Sequence, residues 1–122
     1  MRKTLVFAVV ILGGAWAVLF LPCWRPKVPP RALEAVLRAN LHTLRDVIAQ
    51  YHGDKGKYPE SLDVLIAAGY LRKVPVDPFT KSSGMWRLTY DDRPGMNGIR
   101  GVVDVHSGAG GKALDGRPLA GL

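Results

Sequence analysis

The chain is 122 residues long, carries a formal net charge of +7 and contains one cysteine. That length supports one small domain once any membrane segment is set aside, and a lone cysteine excludes an internal disulfide. Arg2, Lys3, Arg25 and Lys27 flank the first apolar run, which leaves thirteen Lys/Arg against ten Asp/Glu on the rest. More than half of the excess thus sits where anionic head groups would attract it, and no dense basic stripe of the kind nucleic acid requires is visible.

Residues 4–21 are uncharged and almost wholly apolar. As a helix at ~1.5 Å per residue they span ~27 Å, close to the ~30 Å hydrocarbon core of a bilayer. Two readings stay open. A signal peptide would use Arg2-Lys3 as its charged region and Ala15-Trp16-Ala17 as its cleavage site. Cleavage there would leave the apolar stub Val18–Leu21, so a retained anchor is preferred. Cys23 follows Phe20-Leu21-Pro22, a poor approach to a lipidated cysteine, and reads as an apolar residue at the membrane edge. Prolines 22, 26, 29 and 30 exclude a continuous helix through the next stretch, and Trp24 beside Arg25 suits the membrane–water interface. The expected division is residues 1–21 as cytoplasmic start and transmembrane anchor, 22–30 as proline-rich linker, and 31–122 as globular head.

A long helix is expected from about Arg31 to His52. Leu33, Leu37, Leu41, Leu44, Ile48 and Tyr51 recur at the spacing of one helical face, widened by Val36 and Val47. Glu34, Arg38, His42, Arg45, Asp46 and Gln50 fall on the opposite side, so replacing Arg45 should cost far less than replacing Leu44. Gly53 is the expected stop, with Asp54-Lys55-Gly56 turning the chain. A second helix, about Glu60 to Ala68, points Leu62, Leu65 and Ile66 inward and ends at Gly69. Pro75 and Pro78 hold an extended exit in which Asp77 can bond neighbouring amides. Two strands follow. Trp86–Tyr90 alternates with Trp86, Leu88 and Tyr90 on one face, and Val102–His106 sets Val103 and Val105 opposite Asp104 and His106. The connection 91–98 is a turn-rich hairpin loop. A two-stranded ribbon is marginal alone. The fold class expected is therefore α+β: a long amphipathic helix packed on a small antiparallel sheet, behind a transmembrane helix and a proline linker.

The chemistry-bearing residues are sparse. His42 and His52 lie ten residues apart on one helix, too far to share an ion. Asp104 and His106 share a strand face and could form an acid–base pair, but no serine or cysteine nucleophile, second carboxylate or phosphate loop accompanies them. A surface hydrogen bond is the expected role, and a non-enzymatic protein the expected class.

The run from Leu37 to Thr80 strongly resembles the major pseudopilins of bacterial type II secretion systems and related type IV pilin-like proteins. Leu41, Leu44 and Arg45 carry the likeness on the helix, with the turn Tyr51…Asp54-Lys55-Gly56-Lys57-Tyr58-Pro59, then Tyr70-Leu71 and Pro75-Val76-Asp77-Pro78. A weaker likeness continues through Asp104-Val105-His106-Ser107 to Asp115-Gly116. The first 30 residues depart from it. Prepilins carry a short basic leader ending in glycine, then a phenylalanine and a glutamate four residues on, whereas no acidic residue here precedes Glu34.

The resemblance implies a pilin-like head, a single pass through the bacterial inner membrane and a head facing the periplasm. The positive-inside signal alone is nearly balanced. It also implies a structural filament subunit for protein secretion, with copies of itself, other pseudopilins and secretion-system assembly components as partners. A calcium ion in the C-terminal loop is implied as well, with Ser107 and Asp115 as candidate ligands and Asp104 and Asp92 as outside donors. Two alternatives remain: a non-polymerising, membrane-anchored periplasmic adaptor or binding module with the same head, and a competence-type DNA-uptake pseudopilin.

Overall fold

A computed structural model describes residues 26–122. The apolar segment 4–21, Cys23 and Trp24 lie outside the described residues, as do the expectations attached to them. Among the described residues no helix is long and apolar enough to cross a membrane. The fold is α+β, with one long helix and a small two-stranded antiparallel sheet.

Helix α1 runs Pro30–Lys55. Pro29 is extended (φ −64°, ψ 146°) and Pro30 occupies the first turn, where the missing N–H has no helical partner to lose. Its apolar stripe is buried as the spacing predicts: Leu37, Leu41, Leu44, Ile48 and Tyr51 all face the core. Two edges of that stripe differ from expectation. Val36 is exposed, while Glu34 is buried because both of its oxygens find donors. The helix also passes through Gly53 and stops at Gly56, whose φ of 69° lets its N–H close on the His52 carbonyl at 2.8 Å. A glycine inside a helix costs only about 0.5–1 kcal/mol. Here Tyr51 packs edge-on to Tyr70 at 5.4 Å, and the Tyr70 hydroxyl donates to Asp54 at 2.7 Å, so the extra turn has tertiary support.

Helix α2 is Leu62–Ala67, shorter at both ends than expected, with Leu62 and Leu65 buried and Ile66 half-buried. It ends with Gly69 N–H bonding Ile66 O and Tyr70 N–H bonding Leu65 O, the paired bonds of a Schellman closure. Strands β1 (Arg87–Tyr90) and β2 (Val102–His106) pair antiparallel. Trp86 precedes β1 and is buried, its indole N–H donating to Pro75 O at 2.8 Å.

The expected face of β2 needs correction at one residue. Thr89 pairs with Asp104 but Tyr90 pairs with Val102, so Val103 is an extra residue in the ladder. Such a bulge shifts the phase of the pleat. Val102 and Val105 therefore face the core, not Val103 and Val105. On β1, Trp86 and Leu88 pack on the core as expected, while Tyr90 at the strand's end is exposed. A last turn of 3-10 helix, Leu119–Gly121, seats Leu119 in the core beside Ala109 and Ala113.

The sheet and the irregular C-terminal segment thus cover one face of α1. Leu44→Ala should lower unfolding stability by ~2–5 kcal/mol through lost packing and a residual cavity. Val36→Ala, on the exposed side, should stay within ~0.5 kcal/mol. Urea titrations followed by circular dichroism give both numbers, and equal losses would overturn the assignment of faces.

Candidate functional site

The polar groups that do structural work lie along one flank of the α1 stripe and meet the C-terminal half of the chain. Arg45 is the most connected. It donates from Nε to Asp104 Oδ1 (2.7 Å), from one terminal nitrogen to Val105 O (2.9 Å) and from the other to Leu122 O (3.0 Å). The expectation that Arg45 faces away is therefore overturned. It lies beside the stripe, half-buried, because a strand and the last residue of the chain offer it three acceptors.

Asp104 also accepts the Val105 N–H at 2.8 Å and meets His106 Nε2 at 3.3 Å, so the two residues expected to share a strand face do touch. Burial pushes the Asp104 carboxyl up, but the Val105 amide and the Arg45 guanidinium outweigh it and hold the group below its ordinary range. His106 Nδ1 is buried with no hydrogen-bond partner among the described residues.

One end of this flank holds the loop before the C-terminus. Glu34 accepts from Arg38 at 2.7 Å and from the Leu114 N–H at 2.9 Å. Arg38 reaches on to Asp115 at 3.3 Å. Asp115 is gripped by Arg117 through Nε (2.9 Å) and a terminal nitrogen (2.7 Å), and by the Arg117 amide at 3.1 Å. The Arg117 side chain and amide, with Arg38 beyond, draw the Asp115 carboxyl below the usual range.

A third tie is fully buried. Asp77 accepts the Phe79 N–H at 2.9 Å and the Thr80 N–H at 3.4 Å on one oxygen, as an aspartate in a proline-held turn should. Its other oxygen takes the Ser107 hydroxyl, and Ser107 Oγ in turn accepts the Ala109 N–H at 3.1 Å. Next to it Gly108 runs so close to the Met85 backbone that a Cβ would lie 1.9 Å from the Met85 oxygen. No other residue fits there.

The two residues expected as calcium ligands therefore have separate partners. Ser107 turns inward to Asp77, and Asp115 is held by arginines. Asp104 is committed to Arg45, and Asp92 is exposed in the β1–β2 loop. Among the described residues no group of three or more His, Cys, Asp or Glu side chains is placed to hold a metal ion. Calcium prefers six to eight oxygens and free carboxylate charge, and this donor set does not fit it.

His42 is exposed and pairs with Asp46 at 3.1 Å, while His52 stacks on Tyr58 at 4.0 Å. An open cleft of about 650 Å³ lies beside that stack, lined also by Lys57, Arg93 and Met96. It gathers no nucleophile–base pair. The chain matches no family model, no curated protein and no solved structure.

Since the carboxyls of Asp104 and Asp115 are both depressed in the fold, the stability they contribute is present above the ordinary aspartate range and is lost as pH falls. The thermal midpoint should be flat from neutrality to about pH 5 and decline below about pH 4. Arg45→Ala should cost about 1–3 kcal/mol, because it strands Asp104 and two carbonyl oxygens. Arg45→Lys should recover little of this, lacking the planar fork. Full recovery by lysine would reduce the role of Arg45 to its charge.

Proposed function

We propose that the protein is a structural subunit of the pilin-like class, resembling a type II secretion pseudopilin. In this reading residues 4–21 anchor it in the bacterial inner membrane and the head stands in the periplasm. There it assembles with copies of itself or other pseudopilins.

The observation that carries the reading is an exposed apolar pair beside the first turns of α1. Val36 and Val76 are each about half exposed. Val76 is held on the Val36 side of the helix by the Asn40 side chain, one turn on from Val36, which donates to Val76 O at 3.0 Å. An isolated apolar residue on a surface means little, but two held together on one side of a helix suit packing against a neighbour. The polar ties that fix sheet and tail on α1 are a scaffold's arrangement.

A second reading has its own support. Residues 26–29 are not helical and Pro29 is extended, so α1 does not continue back through the linker as an unbroken rod. A head on a jointed stalk suits an anchored adaptor or binding module that does not polymerise.

Membrane fractionation and cross-linking separate these. The protein should remain with membranes through high-salt and carbonate washes, and recovery in the soluble fraction with a start at Val18 would sink the anchor. In a Cys23→Ser background, Val36→Cys treated in cells with a thiol cross-linker should give a ladder of oligomers. A monomer band alone would favour the adaptor.

A further inference from the structure

We propose that the C-terminal segment, residues 107–122, is clasped to α1 by an arginine–carboxylate seam that takes the place of a divalent cation, so that the head holds its tail without calcium. The segment has little to hold it from within. It contributes no strand to the sheet, and its own backbone pairing is one isolated antiparallel bridge, Lys112 to Pro118, closed by Ala113 N–H to Arg117 O and Leu119 N–H to Gly111 O. Its buried apolar side chains, Ala109, Ala113 and Leu119, are few and two of them are small, and Ser107 at its start is tied to the Asp77 loop. Such a segment needs polar ties to a rigid element.

The seam supplies them from positions 34, 38 and 45 of α1. Glu34 spends one carboxylate oxygen on the Leu114 amide and the other on Arg38. Arg38 bridges to Asp115, whose oxygens are already occupied by the side chain and amide of Arg117. Eight residues beyond Leu114, Arg45 closes the end of the segment on Leu122 O. Two guanidiniums face two carboxylates, so the cluster of Glu34, Arg38, Asp115 and Arg117 is neutral as it stands.

A divalent cation serves a loop by cancelling carboxylate charge and gathering oxygens. Here the charge is already cancelled and the oxygens are already gathered, by the two guanidiniums and the Leu114 and Arg117 amides. An entering calcium ion would have to displace both arginines and then sit beside them. Exposed pairs contribute little singly, but charges joined in a four-member network are the case in which they count. The clasp does not depend on assembly, so the subunit reading survives its failure, and the reverse holds too.

The test uses the full chain in detergent micelles. Thermal melts and limited proteolysis are run in excess EDTA and in calcium chloride at about 5 mM, above the weak end of protein calcium sites near ~1 mM. The midpoint and the cleavage pattern should coincide in the two. A calcium-dependent rise in midpoint, or protection of residues 108–118 only with calcium, would overturn the proposal. Arg38→Ala and Arg117→Ala, both at side chains half-exposed or more, are then digested in EDTA. Each should lose protection at 108–118 while the helical circular dichroism signal is kept. Protection equal to that of the unaltered chain in both variants would equally overturn it, since the segment would then be held by something other than the arginines.

Discussion

A two-stranded ribbon cannot hold its shape in water, and a helix with a leucine face cannot stay monomeric there; each lacks the surface the other supplies. Everything else in this head follows from that mutual need. The stripe from Leu37 to Tyr51 meets Val102, Val105 and Trp86 on one side and the small residues of the C-terminal segment on the other. Neither covering layer is large. The chain therefore adds polar ties at the margins of the contact, and nearly all of them start from α1 or end on it.

The ties differ in kind. Asp77 and Ser107 are fully buried, so their bond joins two loops in a place where an unpaired carboxylate would be expensive. Arg45 works at a half-buried site, where its three donors bring strand, chain end and helix together. Glu34, Arg38, Asp115 and Arg117 sit nearest solvent and act as a group. Burial falls along this series, so the tail is tied at several depths, which is how a small domain with a thin core can still fix a long irregular segment.

Much of this was legible in the sequence where the signal is local. The leucine spacing placed the helix and its buried face, and the proline-flanked aspartate announced its own turn. Gly53 misled because an interior glycine is a small cost that Tyr51, Asp54 and Tyr70 together offset. On β2 alternation is right at Val105 and wrong at Val103, since it cannot reveal the unpaired residue that a bulge inserts. Polar partners were hardest. Arg45 meets residues 59, 60 and 77 positions away, and Glu34 meets one 80 away. Helical periodicity put both on the solvent side because it counts them as charged and has no knowledge of what arrives later. Ser107 was picked out by type and position, but its partner 30 residues back was not foreseeable from either.

Because its contacts are spaced along a rigid rod, α1 also acts as a ruler. Positions 34, 38 and 45 meet fixed points on the far half of the chain, and one inserted residue between 38 and 45 would turn everything beyond it by about 100° around the helix axis. The leucines would lose phase at the same moment as the arginine. The β1–β2 loop, exposed from residue 92 to residue 100, carries no such constraint. Length changes in descendants of this chain should therefore accumulate in that loop and be purged from the helix, so that the distance from Glu34 to Arg45 stays at eleven residues while the hairpin drifts.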